Sequence, residues 1–473
     1  MQIPFRGSGK VYYSDKEYAC ALYYSKDGGG VVVKVIKHTK SGIGNYLELP
    51  LEIEVLSGKL DSGYQFTLLE LQRGETKDNI SSKVSEYVYY AEYMLSGIRK
   101  ETKNKQTFSR IDFVISDIVK WGEESVYRIG ENYELSHKDA PVCKTLYSGK
   151  GCLIQYIVQG SMLPVLDSDL YCEHIDLEQY GIIEISYSEE HDFKDFINLF
   201  DKINSLLEVS LLSPVSVKKV YAFSKEFQDN YGETLIERKI NIYGRNIGTD
   251  SDSESSERPM RFKWITLPKL IDNNSFEIYL NKQEIIKPII ELYVEVINFR
   301  RSSVTNVFLN LVQALETYHS RFVTNDLKVF KKRVESLTKG LSQSNSDQIK
   351  DFLMANSKRF ITLESRLADL LFANGLVYFD TGDIKHIDFP AVIARTRNYY
   401  IHYDESLKVN NRIMNPDELS IYNAVLFQIL EYYILSELGF PFEDIERIIR
   451  TRWENVSMSL NILKVSRSKT EKT

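Results

Sequence analysis

The run Ala394-Arg395-Thr396-Arg397-Asn398-Tyr399-Tyr400-Ile401-His402-Tyr403-Asp404 gathers the side chains of this chain best suited to chemistry. A free imidazole titrates near neutral pH, so it can take a proton or give one. A guanidinium is permanently charged and forked, which suits the non-bridging oxygens of a phosphate. An Arg followed by four residues and a His is a common string, and its plain reading is a solvated helix face with a satisfied imidazole. Five residues are ~140° of helical rotation, so Arg397 and His402 do not share one stripe. Arg395, seven residues before His402, falls only ~20° from it and is a second candidate for the same role as Arg397. Asn398 has same-face spacing to His402 and is placed to orient it. Asp404 either holds the ring or caps the helix end.

Helices must carry this run. From about residue 285 the apolar residues recur with the helical period. The spacing predicts one long or broken helix over 286–323 and a second over 326–339, with shorter ones over 347–354 and 362–372. Phe389-Pro390 opens the helix that runs through His402, because Pro fits a first helical turn. The next predicted helix covers 416–438, with Asp417 and Glu418 at its start and Gly439 just past its end. A last one covers 442–453. An all-α domain is therefore expected over 285–460.

The first part of the chain reads differently. Val31–Ile36 is rich in β-branched residues, and Tyr46–Leu56, Phe66–Leu71, Phe108–Val119 and Cys152–Val158 alternate wholly or in part. Val215–Phe223 and Leu235–Tyr243 are further strand candidates, and one helix is expected over 192–207. The fold class is thus α+β: a β-rich domain over 1–280, an antiparallel sandwich or barrel, then the helical bundle. Residues 248–258 are polar and acidic and read as a flexible loop, and 466–473 as a disordered tail.

Hydrophobic content of 43% and charged content of 26% are those of a globular protein and exclude wholesale disorder. The formal charge of −7 is uneven: residues 281–473 carry 26 Lys+Arg against 24 Asp+Glu, and residues 1–280 carry 33 against 42. An acidic first part binds nucleic acid poorly, so any such contact belongs to the second. Four cysteines without framework spacing suit a reducing cytoplasm. Cys143, Cys152, Cys172 and His174 lack finger or ribbon spacing, and free thiols are the plainer reading than a metal site. Gly28-Gly29-Gly30 is followed by no Lys-Ser/Thr and reads as a hairpin turn rather than a phosphate loop. Residues 1–6 lack a signal peptide's apolar stretch. Ala424–Phe442 is interrupted by Glu431 and Glu437, so no membrane span is expected.

The Arg-Asn start and His-Tyr-Asp end of the run, on a late helix of an all-α domain, resemble the HEPN signature. Leu311-Val312-Gln313-Ala314-Leu315-Glu316-Thr317-Tyr318-His319 resembles the first-helix pattern of ApeA-like HEPN proteins, and the β-rich part with its helix near Phe193 resembles the ApeA N-terminal domain. The resemblance implies an anti-phage (abortive-infection) ribonuclease that acts without metal or other cofactor. It implies a homodimer or higher homo-oligomer in which two HEPN motifs form one composite site. Metal-free RNA cleavage uses the substrate's 2′-OH as nucleophile and needs a base, an acid and cations for the phosphorane charge. In that setting His402 is the acid/base and Arg397 the phosphate clamp, with Asn398, Arg395, Asp404 and Glu316 in support. Glu316 equally reads as an ordinary polar helix position. Lys331-Lys332-Arg333 either guides the RNA backbone or is a solvated basic face. The N-terminal domain is the expected sensor of a phage-derived trigger. Two other readings remain: a non-catalytic HEPN scaffold that binds nucleotide or RNA, and a structural or ligand-binding interaction protein.

Overall fold

A computed structural model describes residues 6–25, 30–38, 49–79, 84–100, 106–132, 134–138, 140–163, 176–232, 234–244, 265–298, 302–323, 334–355, 362–372, 388–403, 405–410, 412–450, 456 and 458. The chain divides into two compact units. One comprises Met1–Asn204 with Val215–Pro268, the other Ser205–Pro214 with Lys269–Thr473. The acidic stretch 248–258 and the tail 466–473 lie outside the described residues.

The first unit is built on one antiparallel sheet. Strands β1 (Gly7–Tyr13), β2 (Lys16–Ser25), β3 (Gly30–His38), β4 (Glu52–Leu60), β5 (Gln65–Asn79) and β6 (Val84–Ser96) pair in the order β6-β3-β2-β1-β4-β5, and β5 returns to β6, closing a six-stranded barrel. Closure satisfies every strand edge within the ring, which an open sheet cannot do. Alternate residues point inward, so Val11, Val31, Val33, Val35, Phe66, Leu68, Tyr87 and Tyr89 form its core. Gly58 permits the close approach of β1 and β4, because a Cβ there would stand 2.3 Å from the Phe66 ring and 2.8 Å from the Lys10 carbonyl oxygen.

The sheet continues from β6 as an open wing. Strands β7 (Thr107–Ile115), β10 (Val142–Gly149), β11 (Cys152–Leu163), β12 (Asp176–Asp192), β13 (Val217–Phe223) and β16 (Ile240–Gly244) follow in the order β6-β16-β13-β7-β12-β11-β10. Strand β6 pairs with β3 as far as Ala91 and with β16 from Tyr93 to Leu95. The part of helix α2 (Phe193–Leu211) that belongs to this unit, as far as Asn204, packs on one face of the wing, with Phe200 stacked on Phe113 at 3.8 Å between centroids. A short α1 (Ile118–Gly122) sits against β11 and β12, where the Tyr156 hydroxyl donates to the Ile118 carbonyl at 3.1 Å, and its Trp121 indole N–H donates to the Ile265 carbonyl at 3.0 Å. On the opposite face of β7, the Arg110 Nε lies 3.2 Å from Asp112 and 3.6 Å from Glu184. Two hairpins, β8 (Tyr127–Ile129) with β9 (Leu135–His137), and β14 (Gln228–Tyr231) with β15 (Thr234–Glu237), pair apart from the main sheet.

Several sequence expectations need correction here. Of the strand expected over 46–56, residues 46–48 lie outside the described residues, and β4 begins at Glu52, after Pro50, which has no N–H to give a ladder. The one expected over 108–119 stops at Ile115, and α1 follows. The 235–243 strand is two strands, because β15 pairs with β14 while β16 joins the wing.

The second unit is helical. Its elements are α3 (Leu267–Asp272, whose last four residues belong here), α4 (Ser275–Asn298), α5 (Val304–Phe322), α6 (Gln343–Ala355), α7 (Leu363–Phe372), α8 (Phe389–His402), α9 (Ser406–Asn410) and α10 (Pro416–Glu437), with a further helix over 442–450. The helical pattern thus starts earlier than residue 285, and the stretch expected over 286–323 is broken in two. The break is set by Ser303, whose hydroxyl caps α5 by accepting from the Asn306 N–H. Helix α10 begins with a capping box between Asn415 and Glu418. It buries Leu419, Tyr422, Val425, Leu426 and Ile429 at helical spacing, and from Gln428 to Leu435 every residue is buried, so its second half is enclosed all round. Among the described residues no helix is long and apolar enough to cross a membrane.

Candidate active site

Helix α8 is amphipathic, and its burial fixes where the polar run points. Phe389, Val392, Ile393, Thr396 and Tyr399 are buried, while Arg395, Asn398, Ile401 and His402 are exposed. Its buried face packs within the unit, where the Phe389 ring lies 5.5 Å from that of Tyr422 and the Thr396 hydroxyl accepts from the Met414 N–H at 3.2 Å. At ~100° per residue, Arg395 and His402 fall on one stripe at one margin of the exposed strip, two turns or ~10 Å apart along the axis, and Arg397 lies at the other margin. Asn398 and Ile401 occupy the ground between.

Arg397 is the better held of the two arginines. Its Nη2 stands 3.8 Å from Glu316 Oε2 on α5, and both side chains are about one-third exposed, 34% and 35%. Its Nη1 donates to Asn398 Oδ1 at 3.3 Å. The Asn398 amide is therefore engaged with Arg397, and no hydrogen bond to His402 is among its described contacts. Glu316 is thereby brought to the motif. Asp404 and Lys331-Lys332-Arg333 lie outside the described residues, as do Cys172 and His174. Cys143 is exposed and Cys152 buried, and among the described residues no three His, Cys, Asp or Glu side chains cluster as metal ligands.

The C-terminal end of α8 carries an aromatic and charged cluster that the sequence reading passed over. Tyr403 caps the helix in the left-handed region, φ 50 and ψ 35, and its N–H donates to the Tyr399 carbonyl at 2.6 Å. The Tyr399 hydroxyl donates to Glu405 Oε1 at 3.0 Å, and the Lys408 ammonium reaches the same oxygen at 3.0 Å. Those hydrogen bonds, to Tyr399 and Glu405, hold the Lys408 pKa above its ordinary value. Burial raises the Tyr400 phenol. Its hydroxyl donates to the Met414 carbonyl at 3.1 Å.

One turn beyond Glu316, His319 is buried, with Nε2 at 2.9 Å from Asp369 Oδ2 on α7. One turn before Asp369, Arg366 donates to the Glu316 carbonyl at 3.4 Å. The two residue pairs at i, i+3 spacing therefore brace α5 against α7 behind the Arg397–Glu316 pair. From the sequence, His319 is only the end of the Leu311–His319 run and carries no assigned role. The signal that finds it is the matching three-residue step in Glu316/His319 and Arg366/Asp369.

Residues 6–282 match the family described as ApeA N-terminal domain 1, and residues 309–444 match the family described as Apea-like HEPN. No curated protein matches the chain. Among solved structures, K. pneumonia MrkH in its apo state matches at 12% identity over 43% of this chain and 87% of that one, and its TM-score of 0.14 carries no argument.

Proposed function

The chain belongs to the ApeA-like HEPN family, and from that premise we propose that it is an endoribonuclease of anti-phage defence. It acts in the cytoplasm as a homodimer in which two copies of α8 meet and pool their motifs, and it needs no metal ion. One His402 takes the proton from a ribose 2′-OH, whose oxygen then attacks the adjacent phosphorus. The P–O5′ bond breaks, and the second His402 returns a proton to the departing oxygen. The products are a 2′,3′-cyclic phosphate and a 5′-OH end. Arg397, and Arg395 on the same stripe as His402, neutralise the phosphorane oxygens. The acidic first unit acts as sensor and brake, released by a phage-derived product.

The observation that supports this most is the tether of Arg397 to Glu316 at the border of a strip that also exposes Arg395 and His402. The pair sets a guanidinium, steadied from a second helix, at the edge of the strip that exposes the imidazole. The test is cleavage of a labelled RNA with excess chelator by the purified protein, its His402→Ala variant and its Arg397→Ala variant. Loss of a general acid/base is expected to slow cleavage by about 10²–10⁴-fold. Equal cleavage by wild type and His402→Ala refutes the assignment, and RNA binding without cleavage by any of the three favours a non-catalytic scaffold.

A further inference from the structure

Next to His402 the chain places a large aromatic ring in an awkward backbone position and leaves it open. Tyr403 is 64% exposed and sits at φ 50, a region that bulky L residues seldom enter. Helices commonly end on a left-handed residue, usually Gly or Asn, so a tyrosine at this cap is kept there by the contacts around it. The holding contacts are the 2.6 Å hydrogen bond from the Tyr403 N–H to the Tyr399 carbonyl and two perpendicular ring contacts. The Tyr399 and Tyr400 centroids lie 5.8 and 6.2 Å from that of Tyr403, at interplanar angles of 62° and 88°. Behind them, Lys408 lies 4.5 Å above the Tyr399 ring and is paired with Glu405, which fixes the base of the cluster.

We propose that Tyr403 is a stacking platform that receives an unpaired nucleobase of the RNA and so presents its neighbouring phosphodiester to His402. The inference rests on the ribonuclease reading above and adds the residue that engages the base. Chain adjacency supplies the reach, since a base and its own phosphate belong to one nucleotide just as Tyr403 and His402 are consecutive residues. Every base has a π-face, so an aromatic platform tolerates many sequences. Bases in a duplex are already stacked on one another and cannot be shared with a protein ring without unpairing, so the platform selects against duplex. The exposed Arg395, on the stripe of His402 but two turns or ~10 Å before it, is available to the backbone of the same strand.

The experiment uses the full-length chain carrying His402→Ala, so that the probe stays intact. The probes are a fluorescent twelve-nucleotide RNA, the same RNA as a duplex, and the same single strand with one abasic nucleotide. Tyr403→Asn removes the ring with a residue that tolerates the left-handed region, and Tyr403→Phe keeps the ring. Tyr403→Asn is expected to weaken single-strand binding about tenfold while leaving the duplex unaffected, and Tyr403→Phe to keep single-strand binding within about twofold. The abasic strand is expected to bind weakly to the parent, with no further loss on Tyr403→Asn. Equal single-strand binding by parent and Tyr403→Asn overturns the proposal, as does an equal loss for single strand and duplex, or no single-strand binding by the parent. A changed oligomeric state with an unchanged ratio of single-strand to duplex affinity also overturns it, and makes Tyr403 a contact between copies. Cleavage by the protein with His402 intact is scored separately. Its absence sinks the ribonuclease reading and leaves the affinity comparison to decide the stacking.

Discussion

Replacing Glu316 with Gln removes one charge and little volume, and isolates what the tether does to Arg397. Two unit charges at the observed 3.8 Å attract by about 1 kcal/mol in bulk water and about 4 kcal/mol at an effective dielectric of 20. Both groups are about one-third exposed, so solvent screening holds the net value near the exposed-pair range of ~0.5–1 kcal/mol. That is a factor of about two to five in the fraction of time the guanidinium spends in place. The freed charge also acts on the substrate. One more uncompensated cation steepens the salt dependence of RNA binding by about 0.7 in log K against log salt for a single strand. The expected outcome is therefore split: kcat lower by about two- to fivefold, and KM lower at low salt. The assay is turnover of a fluorogenic RNA at two ionic strengths, with Glu316→Asp as the variant that keeps the charge. An unchanged kcat shows the tether to be an ordinary surface pair. A loss as deep as that of His402→Ala shows Glu316 itself to take part in the chemistry.

Three further expectations concern stability. Burial pushes Asp112 up to about 7, with Arg110 opposing and Glu184 adding to the rise. The folded chain thus keeps a proton that the unfolded chain releases near pH 4, and this group's contribution to stability declines as pH climbs from about 4 to about 7, by at most ~1.4 kcal/mol per unit. Asp112→Asn should flatten that slope, read as denaturation midpoints at pH 5 and pH 8; a slope identical to wild type contradicts it. Thr396→Val leaves the buried Met414 N–H without its acceptor and should cost about 1–3 kcal/mol in chemical denaturation, with a loss under 0.5 counting against the contact. Gly58→Ala sets a methyl 2.3 Å from the Phe66 ring and 2.8 Å from a backbone oxygen. A lowered melting temperature and a loss of about 1–3 kcal/mol are expected from such overpacking, and an unchanged melting curve speaks against so close an approach of β1 and β4.

Helix α8 was legible to the residue, Phe389 to His402, because its start carries Phe-Pro and its apolar spacing is regular. The barrel was legible only as a tendency. Its closure depends on β5 meeting β6 while β1 meets β4, and pairings between distant segments leave no mark in local alternation. Strand β12, seventeen residues from Asp176 to Asp192, was passed over because its second half, Tyr187-Ser188-Glu189-Glu190-His191, is polar enough to read as a loop. At the candidate site, residue types on one helix were readable, since periodicity fixes their faces. The Glu316–Arg397 and His319–Asp369 pairs join separate helices, and only tertiary packing brings such partners together. Tyr403 was hidden for another reason: a residue-by-residue reading assigns a tyrosine no sign of φ.

Strand β6 exchanges one neighbour for another at Glu92, from β3 to β16, while β5 stays hydrogen-bonded along its other side. Barrel and wing consequently have one backbone in common, and neither can melt without stripping that backbone of a partner. Amide exchange should report a single cooperative block spanning Val84–Ser96, β3 and β16, with matched protection factors on both sides of the exchange point. A protease nick or circular permutation that severs β6 ought to cost the whole unit, whereas cuts in the β8–β9 and β14–β15 hairpins, which hang off the sheet, ought to be survivable.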